Sequence, residues 1–302
     1  MPPATQEDRD LPLLGARAHI TEVWDEVVDR FLAGDRALSE DLQVWASAYR
    51  GQGAGKVEWD ALPEPYLGPL DRQPRAVFLA LNPGASSPKM QSATGLLTDE
   101  IRRMGSYRAW AASWPYLRDI WVKNMNENRH HTSRLKFMRR WWEQPELSAD
   151  DMLSFELFPW HSARLTAPIR PDPRVIREFV FAPIEELDAP PIFAFGADWF
   201  SMLEDHLRLP VIARLGDGGH PYPTRVRDRA AVVFSLPSGA AVIAVKQGGY
   251  AGPPSSQETV LLQEVLTSVG VKIPSVSCLP KNPPPTRSQE MTANQETSDG
   301  EL

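Results

Sequence analysis

Between residues 16 and 49 the apolar positions recur about every 3.6 residues, the spacing of a single helix face. "ITEVWDEVVDRFL" opens at Thr21 with acids behind it, and "SEDLQVWASAY" repeats the pattern after a Gly-containing break. Two helices are predicted there, followed by a loop at "GQGAGK". The pattern then changes. "RAVFLAL" (75–81) is almost continuously apolar, as in a strand buried on both faces of a parallel sheet. Similar runs follow at "LSFELF" (153–158), "PIFAFG" (191–196), "AAVVFSL" (230–236) and "AAVIAVK" (240–246), with "PSG" as a hairpin turn between the last two. Helices are predicted over about 98–124, 131–143, 173–188, 198–207 and 255–269. Strands alternating with helices predict an α/β fold with a mostly parallel central sheet. In such sheets ligands sit beyond the carboxyl ends of the strands, which directs attention to the loops after Leu81, Phe158, Gly196 and Lys246. From Pro274 onward the chain is rich in Pro, Ser and Thr and poor in core formers. The expected organisation is one domain over 1–273 and a disordered tail over 274–302.

Composition changes this picture little. The chain has 302 residues, 42% hydrophobic and 24% charged, which is ordinary for a globular protein whose core needs no metal or disulfide. A single cysteine, Cys278, excludes an internal disulfide and fits a reducing cytosol. The start "MPPATQEDRD" lacks an apolar signal region, and no apolar run would span a bilayer, so a cytoplasmic protein without a membrane partner is expected. A net charge of -7 argues against indiscriminate nucleic-acid binding, yet "RHHTSRLKFMRR" (129–140) carries five Arg/Lys, two His and no acid.

Familiar catalytic motifs are absent. "GQGAGK" is too short for a phosphate loop and has Val57 where a magnesium-binding hydroxyl belongs. There is no GxSxG elbow. His130 and His131 lack the Cys or carboxylate spacing of a zinc site, so neither a metal nor a cofactor is expected. "HPYP" (220–223) reads as a surface loop.

What remains are the strand ends. They carry Asn82-Pro83-Gly84, then Glu156 with "PWHS" behind it, then Lys246-Gln247-Gly248-Gly249-Tyr250. In a parallel sheet these converge on one cleft. Two amides, a carboxylate, an indole, an imidazole and Gly-rich backbone can read the edge of a planar heterocycle. Asn before Pro-Gly is also a common turn former, and Gly248-Gly249 also fits a plain loop. Glu156 in an apolar strand needs an arginine partner, a ligand or exposure.

In this order the elements resemble the uracil-DNA glycosylase superfamily, over roughly residues 70 to 270. "LNPGASS" is similar to the Asn-Pro-Gly loop of its mismatch-specific and single-strand-selective branches. The resemblance implies a three-layer α/β/α sandwich around a mostly parallel four-stranded sheet. It implies that Asn82 orients the hydrolytic water, that Pro83 and Gly84 shape the loop around a flipped nucleotide, and that Ser86 and Ser87 meet phosphate. Gln247 falls on the family's His, Gly248 and Gly249 on its Pro-Ser, and Tyr250 near its DNA wedge. Trp160, Tyr107 or Trp110 is the expected stacking aromatic, and Lys246 adds charge near the base. His161, Arg139 and Arg140 are expected on the DNA side, with Trp141 and Trp142 packed in the core.

Glu156 departs from the family, which commonly has a base-reading Asn there. A carboxylate accepts from the exocyclic amine of cytosine, and when protonated it also donates to N3. The expectation is a DNA glycosylase, monomeric and cofactor-free, that excises a modified cytosine such as a hypermodified bacteriophage base. The alternatives are repair of deaminated or damaged bases, a non-catalytic DNA- or protein-binding relative, or an unrelated nucleoside hydrolase.

Overall fold

The computed structural model describes residues 10–216, 219–222, 230–246 and 252–271. Its strands are β1 (Tyr66–Leu67), β2 (Ala76–Ala80), β3 (Met152–Glu156), β4 (Ile192–Phe195), β5 (Val211–Leu215), β6 (Ala231–Ser235) and β7 (Ala241–Val245). They form one seven-stranded sheet in the order β1-β3-β2-β4-β7-β6-β5. The inner strands β3, β2, β4 and β7 are parallel, while β1, β6 and β5 add antiparallel edges. The sheet is thus mixed and wider than the four-stranded sheet expected from the sequence. The missed strands are at its edges. β1 is two residues long, and β5 alternates poorly, with three of its five residues exposed.

Helices α1 (Gly15–Leu32) and α2 (Glu40–Ala46) precede the sheet. The long crossing from β2 to β3 holds α3 (Pro88–Gln91), α4 (Leu96–Met104), α5 (Tyr107–Ala112), α6 (Asp119–Met125) and α7 (Arg129–Trp141). The sequence predicts one helical segment over 98–124. It breaks because Gly105 takes the left-handed conformation that ends α4, Ser106 caps α5 by accepting from the Ala109 N–H, and Pro115 opens a short 3₁₀ turn. α8 (Pro173–Ile176) and α9 (Ala182–Glu185) are joined by a π-helical turn over Arg177–Phe181. Pro183 lacks an N–H for the α-ladder, which accounts for the widened turn ahead of it. α10 (Asp198–Ser201) runs into a second π turn, and α11 (Ser256–Ser268) closes the described chain with a Ser255–Glu258 capping box.

Register fixes the functional end of the sheet. Ala80 pairs with Glu156, Leu79 with Ala194, and Phe195 with Val245. Neighbours in register share a face, so Phe78, Ser154 and Phe193 lie on one side, with Ala80, Glu156 and Phe195 further along it. α7 packs on that side through Phe137 and Trp141, whose rings meet Phe193 at 4.9 and 4.8 Å. Trp141 and Trp142 are both in the core. The same helix buries Phe137, Trp141 and also Arg134 of the basic segment, while Arg129 and Lys136 of that segment stay exposed. No helix of the described residues is long and apolar enough to cross a membrane.

Candidate functional site

Asn82 stands two residues beyond β2. The ladder between β2 and β3 continues past the strands, with Leu157 N–H donating to Ala80 O at 2.8 Å and Phe158 N–H to Leu81 O at 3.0 Å. The loop after β3 therefore stays beside the Asn-Pro-Gly loop, and "PWHS" is its mould. Asn82 Nδ2 donates to Ser162 Oγ at 3.0 Å and to the Ser162 carbonyl at 3.4 Å. Gly84, at φ 82°, occupies the left-handed region that a side chain would strain. Its carbonyl accepts from Ser162 N–H and from His161 Nδ1, both at 3.1 Å. Orienting Asn82 through Nδ2 leaves its carbonyl oxygen without a partner among the described residues.

β1, missed by the sequence pattern, delivers the residue beneath this loop. It sets the preceding Pro-Glu-Pro alongside the end of β3: Glu156 N–H donates to Pro65 O at 2.9 Å, and Glu64 N–H to Pro159 O at 2.8 Å. Glu64 is buried, and its Oε1 accepts from His161 Nε2 at 3.0 Å, Gln91 Nε2 at 3.2 Å and the Tyr116 hydroxyl. Gln91 Oε1 in turn accepts from Ser87 N–H at 2.7 Å, and Glu58 accepts from Ser86 N–H at 2.9 Å. The backbone amides of Ser86 and Ser87, the two residues expected to meet phosphate, are thus taken by the protein's own side chains.

Glu156 is 7% exposed and its Oε2 has no hydrogen-bond partner. Burial pushes its carboxyl up to about 8, against a downward pull from Arg134 and a further upward push from Glu64. Arg134, from α7, is buried with its carbon 5.7 Å from the Phe195 ring centre. One of its nitrogens donates to His130 O at 3.0 Å, but Nε is unpartnered, and burial lowers the group to about 10. His131, stacked on Tyr116 at 5.3 Å, is lowered to about 3 by burial and then by Arg134, so it is a neutral ring. At neutral pH the site therefore presents a carboxylic acid, a guanidinium and a neutral imidazole.

The other expected residues are placed as follows. Pro83 is half-buried in the loop, and Lys246 is half-buried just past β7, its N–H on Ala230 O. Gln247, Gly248, Gly249 and Tyr250 lie outside the described residues, as does the tail over 274–302. Trp160 corrects the stacking expectation: it is 3% exposed and wedged among Trp24, Trp45, Trp59 and Phe158, so its faces are spent on the core. Tyr107 and Trp110 are likewise fully buried. His161 is 1% exposed and faces inward, so it offers no ring nitrogen to DNA. Arg139 Nε donates to Leu147 O, and Arg140 to Pro254 O, each at 2.7 Å; both remain half-buried. Glu64, Arg134, Gln91, Tyr116 and Ser162 escaped sequence reasoning. Glu64 alone left a trace there, as an acid set in the apolar stretch "LPEPYL".

A cavity of about 360 Å³ is lined by Leu81, Leu165, Ile169, Asp198 and Met202 among others; neither Asn82 nor Glu156 is part of its wall. Among the described residues no group of three His, Cys, Asp or Glu could hold a metal ion. No protein-family model, no curated protein and no solved structure matches the chain.

Proposed function

We propose that this protein is a DNA glycosylase that removes a modified cytosine and leaves an abasic site. One observation carries the reading: a buried Glu156, its Oε2 without a hydrogen-bond partner and its carboxyl pushed up to about 8 by burial, lies next to the Asn82 loop at the carboxyl end of parallel strands. A neutral carboxyl group has one donor and one acceptor. Its hydroxyl meets the basic N3 of cytosine while its carbonyl accepts from the 4-amino group. The donor–acceptor count alone also fits uracil with the roles exchanged. Proton transfer does not, because uracil N3 already carries a hydrogen. Only a cytosine-type base can take the Glu156 proton at N3 as the bond from C1′ to N1 breaks.

In this reading the flipped nucleotide loses its base as water, held by the Asn82 carbonyl, adds to C1′ and gives up a proton to solvent. The bond electrons leave with the base, whose charge is lowered by the proton from Glu156 and by the guanidinium of Arg134. A cell gains little by excising its own cytosine. A modified cytosine in bacteriophage DNA, and hence a role in defence, is the substrate that fits best.

The test is abasic-site formation on duplex and single-stranded DNA carrying hydroxymethylated or glucosylated cytosine, beside uracil-containing controls. Release from the cytosine derivatives, lost in Asn82→Ala, is expected. Release from uracil alone would overturn the substrate assignment, and DNA binding without any abasic sites would overturn the enzyme.

A further inference from the structure

The ring of His161 has an acceptor on each side. Its Nδ1 is 3.1 Å from the carbonyl of Gly84, which has no hydrogen to give. Its Nε2 is 3.0 Å from Glu64 Oε1, an oxygen that also takes hydrogens from Gln91 and Tyr116. A neutral imidazole carries one N–H and would leave one of these contacts as two lone pairs in opposition, buried at 1% exposure. We infer that His161 is held as an imidazolium and is a positioning residue: a charged clamp between Glu64 and the Asn-Pro-Gly loop.

The surroundings agree. Burial opposes the charge, but the Glu64 carboxylate and the hydrogen bonds to Glu64 and Gly84, with Glu58 beyond, outweigh it and raise the ring above its ordinary value. The other ionisable groups around Glu64 are the Tyr116 and Tyr107 hydroxyls, both held neutral by burial, and Glu156, which is itself protonated at neutral pH. Glu64 and Glu58 are therefore the anions that sustain the imidazolium. The clamp fixes Gly84, the adjacent Ser162 fixes Asn82, and Gln91 extends the same network to Ser87. A buried cation thereby sets the geometry of the water-holding amide without touching the water. The positioning of a catalytic loop rests on the glycosylase reading; the doubly protonated ring does not.

The experiment is nitrogen-detected NMR of the ¹⁵N-labelled full chain from pH 6 to pH 9, with His161 assigned by its disappearance in His161→Gln. Both ring nitrogens should show the imidazolium pattern through neutral pH. In Glu64→Gln the ring should become neutral at neutral pH, and hydrogen exchange of the Asn82 side-chain amide should quicken about tenfold, the worth of one net hydrogen bond. His161→Gln should quicken it similarly, and a thermal unfolding scan shows whether each variant is folded. If Glu64→Gln does not fold, the wild-type ring pattern and His161→Gln decide the matter. A neutral ring at pH 7 in the wild type overturns the clamp. An imidazolium with unchanged Asn82 exchange in the folded variants overturns its positioning role. Neither result depends on base release, so a failure of the clamp stays separate from a failure of the proposed reaction.

Discussion

At the scale of single residues, Glu156 stands out because burial raises its carboxyl. Its carboxyl sits at about 8 in the folded chain against 4.5 for the free side chain. The folded state therefore binds the extra proton between those values, and stability is fullest below 4.5 and falls as pH rises through about 8. Glu156→Gln stays neutral throughout. Urea unfolding should find it close to wild type at pH 4.5 and more stable at pH 9, by on the order of a few kcal/mol. An equal difference at both ends would mean that the carboxyl ionises normally. Asn82→Ala removes the amide donor to Ser162 and should cost only about 1 kcal/mol, since the loop keeps its bonds through Gly84. Its large effect should fall on base release, measured as abasic sites per turnover time.

At the scale of elements, the inner strands and β6 were readable because continuous apolar runs have few other homes. All of them appear within two residues of the sequence reading. β1 was not readable: two residues give no period, and its pairing with β3 is a tertiary event. Losing β1 meant losing the placement of Glu64, so nothing in the sequence paired that acid with His161. Glu156 was visible because a carboxylate interrupts an apolar strand. Arg134 was hidden inside a basic run, since charge alone does not tell a buried arginine from a solvated one. Trp160 was misjudged because an indole near a strand end suits a base and a core equally well; its contacts with Trp24 and Trp45 decide for the core. Trp160→Ala should destabilise by about 3–5 kcal/mol in urea unfolding. Trp160→Phe should keep DNA affinity in fluorescence anisotropy, and a folded Phe variant with lost affinity would return Trp160 to the binding surface.

At the scale of the whole molecule, the proposed reaction requires an acidic chain of net charge -7 to meet DNA through a local basic face. α7 is the candidate, with Arg139 and Arg140 each spending one donor on a backbone carbonyl and keeping others free. If both also meet phosphates, replacing the pair with glutamine should flatten the slope of log affinity against log salt by about 2. An unchanged slope would confine both residues to holding Leu147 and Pro254. The molecule's central claim is that a protonated Glu156 assists the departure of a cytosine-type base. The pH dependence of single-turnover base release from modified-cytosine DNA tests it most directly. Release should be flat at lower pH and fall as pH rises through about 8, and Glu156→Gln should be slow with no such fall. A wild-type rate unchanged to pH 9, or a Gln variant as fast as wild type, would contradict it.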